Sequence, residues 1–93
     1  MARSQGWAPP LVWGPWVNLH THVGNSAYTV SFNAVSSLQS TFDAEIQYVT
    51  NSGDRTIHTM GPGSYRINGN NGAGQDRIRF KSHPVGLTIE VRY

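Results

Sequence analysis

Cysteine is absent from this chain of 93 residues. Its absence excludes disulfide bonds, cysteine-ligated zinc and thiol redox chemistry, and it is compatible with either an oxidising or a reducing compartment. Long apolar runs are also absent, since none approaches the roughly 18 residues needed to span a bilayer. Prolines and tryptophans interrupt the N-terminal stretch where a signal peptide requires about 7 to 15 continuous apolar residues. We therefore expect neither membrane insertion nor a secretory signal; a virion or an extracellular assembly would suit such a chain.

Charged residues are scarce at 13%, and a net charge of +2 is too small to indicate a nucleic-acid partner. Most of the basic residues nevertheless fall late in the chain, at Arg66, Arg77, Arg79, Lys81 and Arg92. This basic face could bind phosphate or an acidic sugar polymer, but Phe80 and Tyr93 have the opposite strand parity and cannot interleave with it. We therefore predict a solvated sheet face with Glu90 as its ion-pair partner, and no nucleic-acid binding.

From residue 17 onward, apolar and polar residues alternate over short segments that turn residues separate. Alternation with a period of two predicts strands with one buried face. About seven or eight such segments, recurring roughly every 8 to 12 residues without an amphipathic helix, predict an all-β fold, either an antiparallel β-sandwich or a jelly roll. A small closed barrel is the alternative. The 38% apolar fraction suffices for one core, and therefore for one domain.

Turn signals suggest which strands are neighbours. Gly24-Asn25-Ser26 predicts a first hairpin between strands at 17–23 and 28–33, with the odd-numbered residues of the first strand facing inward. Asn51-Ser52-Gly53-Asp54 predicts a second hairpin. Residues 34–42 fit neither period, and we assign them to a connection.

The clearest strands come last, at 77–81 and 87–93, and we predict that they pair through residues 83–86. The loop before them is rich in glycine, but a phosphate-binding loop would need a helix where a strand follows. The polar residues of this loop could offer oxygen ligands to a calcium ion, although their spacing does not match an EF-hand loop. The residues of this possible ligand loop are Asn68, Asn70, Asn71 and Asp76.

Residues 1–15 are predicted to form an extended arm, and residues 16–93 the sandwich domain, because glycines and prolines interrupt every period in the first segment. The arm is nevertheless apolar, and all three tryptophans of the chain lie within ten positions. Its large side chains are those of Trp7, Leu11, Val12, Trp13 and Trp16. They could cap the domain's own core, stack on sugar rings, or dock on a neighbouring subunit.

His20 and His22 stand two apart on a predicted strand, so both would share a face and could share a metal ion. A metal site needs further ligands at set spacings, which leaves this pair a weak candidate beside the ordinary interpretation as a solvated strand face. No nucleophile elbow and no Ser, His and Asp arrangement is present, and surface ion pairing explains the carboxylates better than glycosidase chemistry does. We predict no enzyme activity and no cofactor.

The leading functional hypothesis is a self-assembling structural subunit of capsid, decoration or filament type, whose N-terminal arm docks on a neighbouring copy or lattice partner. The apolar arm motivates it. The alternative is a lectin-like carbohydrate-binding module that uses the tryptophans and the Asn- and Gly-rich loop to bind a glycan.

Overall fold

The computed structural model describes residues 3–24, 27–35, 42–83 and 86–93. These residues form eight strands, which are β1 (Arg3–Ala8), β2 (Val17–His22), β3 (Ala27–Ala34), β4 (Phe42–Thr50), β5 (Gly53–Met60), β6 (Gly63–Asn68), β7 (Gly74–Ser82) and β8 (Leu87–Arg92). The described part of the chain contains no helix, and therefore no helix able to cross a membrane. Most of the predicted connection at 34–42, and parts of the turns at 24–26 and 83–86, lie outside the described residues.

The strands lie in two four-stranded antiparallel sheets. Sheet 1 has the order β1-β8-β3-β6 and sheet 2 has the order β2-β7-β4-β5. Nearly every connection therefore crosses from one sheet to the other, which is the double Greek-key order of a jelly roll. The predicted all-β sandwich is confirmed, and the alternative of one closed barrel is wrong for the described strands.

One core lies between the sheets. Its largest buried side chains are those of Phe42, Phe80, Ile46, Ile67, Ile78, Ile89, Val30 and Val91. Phe32, Phe42 and Phe80 meet within it, with ring centroids 5.9 to 6.2 Å apart and the rings tilted or edge to face. On β7 and β8 the buried residues recur at every second position, as the alternation predicts, and β4 departs from it at Glu45, which is also buried. Outward positions of β7 are thereby left to charged residues.

Two predicted strand pairings are wrong. The strands at 17–23 and 28–33 do not form a hairpin, because β2 pairs with β7 while β3 pairs with β6 and β8. The last two strands, β7 and β8, likewise lie in different sheets. Alternation specifies which face of a strand is buried but not its neighbour, so it could not distinguish these pairings. The hairpin between β4 and β5 is confirmed, but its loop is only Asn51 and Ser52 and not the predicted four residues, because Gly53 and Asp54 already pair with Thr50 and Val49.

Strand β2 also departs from a regular period. Its register with β7 shifts between Asn18 and Thr21, so both Leu19 and His22 are buried while Thr21 is exposed. Val23, predicted to face inward, is 70% exposed. An irregularity of this kind adds a residue to one strand and reverses the parity beyond it. The prediction of an inward Val23 failed for this reason.

Residues 3–8 of the predicted arm are a strand. All six residues of β1 pair with β8 at the edge of sheet 1. Gly6, which we took as a strand breaker, is buried, and a Cβ atom there would lie 2.8 Å from the Phe80 ring. Glycine is therefore present for close packing rather than to end a strand.

The following segment, residues 9–14, leaves sheet 1 and lies along β7 of sheet 2. The backbone N–H groups of Leu11 and Gly14 donate to the carbonyl oxygens of Ser82 and Phe80, and the N–H of Ser82 donates to the carbonyl oxygen of Pro9. These distances are 2.8 to 3.0 Å. Residues 3–14 are thus held by their own domain, although the core cluster does not include Trp13 or Trp16.

Gly14→Ala tests this arrangement. A Cβ at residue 14 would lie 2.0 Å from the carbonyl oxygen of Trp7, a backbone atom that cannot rotate away. We expect the free energy of unfolding to fall by about 2 to 3 kcal/mol. Urea denaturation followed by tryptophan fluorescence measures it.

Gly63→Ala is the matched control, because the nearest atom to its new methyl would be 3.7 Å away. Stability should change there by less than about 1 kcal/mol. Equal stability of the two variants would contradict the described position of residues 9–14.

Candidate binding surface

Two tryptophans, one within residues 9–14 and one just after them, lie on the outer face of sheet 2. The Trp16 ring centroid lies 4.4 Å from the guanidinium carbon of Arg77 and 4.5 Å from that of Arg79. The Trp13 ring centroid lies 4.9 Å from Arg79 and 4.9 Å from the ammonium of Lys81. Both rings are partly exposed. We call Trp13 and Trp16 the tryptophan platform, a row of aromatic rings supported by cations.

Strand β4 places acceptors beside those cations. The registered pairs are Asp43 with Lys81, Glu45 with Arg79, and Gln47 with Arg77. Arg79 donates through Nε and Nη2 to the same Glu45 oxygen, at 3.1 and 2.9 Å. Lys81 Nζ is 3.8 Å from Asp43. Arg79 and Lys81 therefore have charged partners on β4, whereas the partner of Arg77 is the neutral amide of Gln47.

Two histidines complete the edge of this surface. His58 Nε2 on β5 is 2.7 Å from Oε2 of Glu45, and its ring centroid is 6.1 Å from that of Trp13. His83 Nε2 is 3.0 Å from Oδ2 of Asp43. Each carboxylate of β4 thus has a cationic partner from β7 and an imidazole on another side.

A groove of about 500 Å³ opens between Trp13 and the edge of sheet 2. Its lining residues are Trp13, Asp43, His58, Thr59, Met60 and Lys81. The groove combines an aromatic face with a carboxylate acceptor, an ammonium donor and an imidazole that can do either. Such a mixture suits a ligand with one apolar face and many hydroxyl groups.

The local charge is nearly balanced. Lys81 and Arg79 face Asp43 and Glu45, which leaves the third cation, Arg77, as a net charge of +1 when the histidines are neutral. A phosphate polymer would need several cations without partners.

The predicted basic face does not form one surface. Arg77, Arg79 and Lys81 lie on sheet 2, whereas Arg66 and Arg92 lie on β6 and β8 of sheet 1. The predicted partner Glu90 does pair with one member of that face, Arg92, at 2.8 Å, and it lies 3.6 Å from Arg3, but it forms no ion pair with the cations of β7 in the described part of the chain. The parity of Phe80 and Tyr93 excluded aromatic rings among these cations. Trp13 and Trp16 supply such rings instead, because the chain between β1 and β2 crosses from sheet 1 to sheet 2 beside β7.

The remaining arm residues lie elsewhere. The Trp7 indole lies over Gly86, where a Cβ would be 2.4 Å from the ring, and is 48% exposed. Leu11 and Val12 are 72% and 57% exposed. The five apolar arm residues therefore do not act as one unit.

The possible ligand loop is also divided. Asn70 and Asn71 adopt left-handed backbone angles in the turn before β7, while Asp76 points into the protein and is fully buried. This turn lies next to the first residue of β7, and the groove lies beside Lys81 near its last. The Asn-rich turn is therefore at the opposite end of the strand from the groove.

Asp76 accepts hydrogen bonds from both sheets. The Tyr28 hydroxyl of sheet 1 donates to its Oδ2 at 2.5 Å, and the backbone N–H of Val49 donates to its Oδ1 at 3.2 Å. Nδ1 of His22 is 2.8 Å from the same carboxylate, and because a carboxylate only accepts, this nitrogen carries the proton. We call Asp76, His22 and Tyr28 the buried node.

His20 and His22 do not share a face as predicted, because His22 is fully buried and His20 is exposed. The β2 irregularity separates them, although both rings contact Tyr28, with centroids 4.8 and 5.5 Å away. Within the described ranges, no three His, Asp or Glu residues converge closely enough to hold a metal ion.

Tyr28→Phe tests the buried node through its pH dependence. Burial, followed by the hydrogen bond to Asp76, raises the pKa of Tyr28 well above its ordinary value. The unfolded chain loses this proton near pH 10 while the folded protein keeps it, so the stability that it contributes is complete below pH 10 and is lost as the pH rises further.

We expect the free energy of unfolding of the wild type to fall more steeply above pH 10 than that of Tyr28→Phe. The difference between the two slopes should approach about 1.4 kcal/mol per pH unit, reduced by solvent screening because the ring is only partly buried. Urea titrations at several alkaline pH values measure it. Parallel pH profiles for the two proteins would show that the node does not hold the Tyr28 proton.

Comparison with known proteins supports the architecture and goes no further. No family model matches the chain, and no curated protein matches it. Among solved structures, the chain is similar to a crystal structure of PirA, with a TM-score of 0.54 and 12% sequence identity, covering 98% of this chain and 92% of that chain. At this identity, the likeness shows the sandwich fold alone.

Proposed function

We propose that this protein is a carbohydrate-binding module that binds a glycan in the groove beside Trp13. The single observation that carries the proposal is the position of the partly exposed Trp13 ring next to Asp43, His58 and Lys81. The apolar face of a sugar ring packs on an indole, and its hydroxyl groups need donors and acceptors at the margin.

The supporting side chains are already fixed before any ligand binds. Lys81 supports the Trp13 ring from one side, and Asp43 accepts from His83 at 3.0 Å. A preorganised surface loses little side-chain entropy on binding, and this favours recognition of weakly bound neutral ligands.

Nucleic acid fits this surface less well, although aromatic rings and cations occur together in both kinds of site. Asp43 and Glu45 lie among the cations and would repel a phosphate backbone. A near-neutral ligand matches the balanced charge better. Binding to single-stranded DNA at physiological salt, with none to glycans, would overturn the proposal.

Trp13→Ala is the direct test. We expect binding on a glycan microarray, followed by calorimetry with the soluble oligosaccharides that bind, to weaken roughly 10- to 100-fold when this ring is removed. Circular dichroism and urea denaturation check that the variant stays folded.

Trp7→Ala is the matched control, because it removes the same side chain from sheet 1 and away from the groove. Its affinity should stay within about twofold of the wild type. Equal losses in the two variants would indicate a general effect on folding, and the proposed site would be wrong.

Self-assembly is the second candidate, and a specific feature of the arm favours it. Leu11 has a φ of 60° and is 72% exposed, so a strained backbone directs a large apolar side chain into solvent. Such strain costs about 1 to 3 kcal/mol and is common where a segment binds a partner. In this arrangement the exposed side chains of Leu11 and Val12 would contact a neighbouring copy, while β1 stays in its own sheet.

The second candidate predicts concentration-dependent oligomers that the double substitution Leu11→Ser and Val12→Ser converts to monomers. Light scattering after size exclusion measures the solution mass of both proteins. A wild type that stays at its monomer mass of 10.2 kDa at all concentrations contradicts self-assembly.

A further inference from the structure

We infer that Trp16 and Arg77 form a second sugar subsite, next to the groove, and that this subsite takes a sugar bearing a carboxylate, such as a uronic acid. The inference rests on the proposed glycan-binding function and adds a preference that the Trp13 groove alone does not predict.

The two rings follow each other along β7. Trp13 lies over Arg79 and Lys81, and Trp16 lies over Arg77 and Arg79. Both rings contact Arg79, at 4.9 and 4.5 Å, so they are neighbours on this surface. Trp16 does not line the groove. A single sugar beside Trp13 therefore leaves Trp16 uncovered, and a ligand of two or more units covers both.

A shared cation fixes the rings relative to each other. Arg79 contacts both Trp13 and Trp16, and its own position is set by Glu45. Because neither ring must be ordered on binding, a second sugar unit adds affinity with little entropic cost.

The two ends of the platform differ in charge. Near Trp13, the cations Lys81 and Arg79 have the carboxylates Asp43 and Glu45 as partners. Near Trp16, Arg77 Nε donates to the neutral side chain of Gln47 at 2.5 Å. In the described part of the chain, no carboxylate forms an ion pair with Arg77. The cation of this surface that forms no ion pair among the described residues therefore lies at the Trp16 end, where Gln47 Nε2 also donates to the Asp54 carboxylate at 3.5 Å.

Arg77 also has donors to spare. Its guanidinium carries five N–H groups, and the contact with Gln47 uses one of them. The side chain is partly exposed. A carboxylate accepts two parallel N–H bonds from a guanidinium, and this makes an arginine without an acidic partner a selective site for one anionic group. A ligand with an anion on every unit would instead place one beside Asp43.

The test uses a microarray of neutral glycans printed beside counterparts of equal length that carry one uronic acid. We expect the acidic member of a bound pair to bind about tenfold more tightly. Arg77→Gln should reduce binding of the acidic member to the level of its neutral counterpart, and Arg77→Lys should restore part of the difference. Trp16→Ala should weaken the binding of chains but not of single sugars.

Lys81→Gln is the matched control, since it removes one positive charge at the other end of the platform. It should preserve the preference for the acidic member. An equal loss of preference in Lys81→Gln and Arg77→Gln would indicate a diffuse charge effect and overturn the subsite.

Failure of the subsite is distinguishable from failure of the proposed function. Equal binding of neutral and acidic members, still abolished by Trp13→Ala, overturns the subsite and leaves the glycan-binding function standing. Binding of no glycan on the array overturns both.

Discussion

Backbone hydrogen bonds between residues 9–14 and the end of β7 are the interaction on which the candidate site depends. They let the chain leave sheet 1 after β1, cross the side of the sandwich and enter sheet 2 as β2. Gly14 permits the approach, because a Cβ atom there would overlap the backbone of Trp7. Without this crossing, the outward side chains of β7 would form an ordinary charged strand face. With it, Trp13 and Trp16 lie over them, and a charged face becomes an aromatic one.

Strand β7 is held at its other end by the buried node. Asp76 accepts from Tyr28 of sheet 1 and pairs with His22 of sheet 2. A buried ionic cluster of this kind contributes little net stability, since desolvation offsets most of the attraction, but its geometry can favour one strand register over another. The irregularity in β2 turns His22 inward, where its ring meets Asp76. The register of β7, and hence the spacing of its outward cations, is therefore constrained at both ends of the strand.

Much of the fold could be predicted from the sequence, and the particular failures have a common cause. Alternation identified the buried faces of β4, β7 and β8 because it reports burial residue by residue. It could not identify neighbours, so β2 with β3 and β7 with β8 were paired wrongly. Gly6 was taken as a breaker because its packing partner, Phe80, is 74 positions away in the chain. The tryptophans were identified as candidates for stacking on sugar rings, but their position beside the cations of β7 was missed for the same reason, since residue type indicates that Trp13 seeks a partner but not that Lys81 is that partner.

The outward cations of β7 differ in the partners that β4 provides for them. An outward cation in the middle of a sheet is easily satisfied by a carboxylate on the neighbouring strand, and Arg79 and Lys81 have such partners in Glu45 and Asp43. An acidic residue at position 47 would continue the series of registered pairs, but it would also face the Asp54 carboxylate, to which Gln47 Nε2 donates at 3.5 Å. Gln47 occupies that position instead and leaves Arg77 with a neutral partner beneath Trp16. This interruption lies at the end of the platform that the groove does not reach, where an anionic group on a bound chain could supply the missing charge.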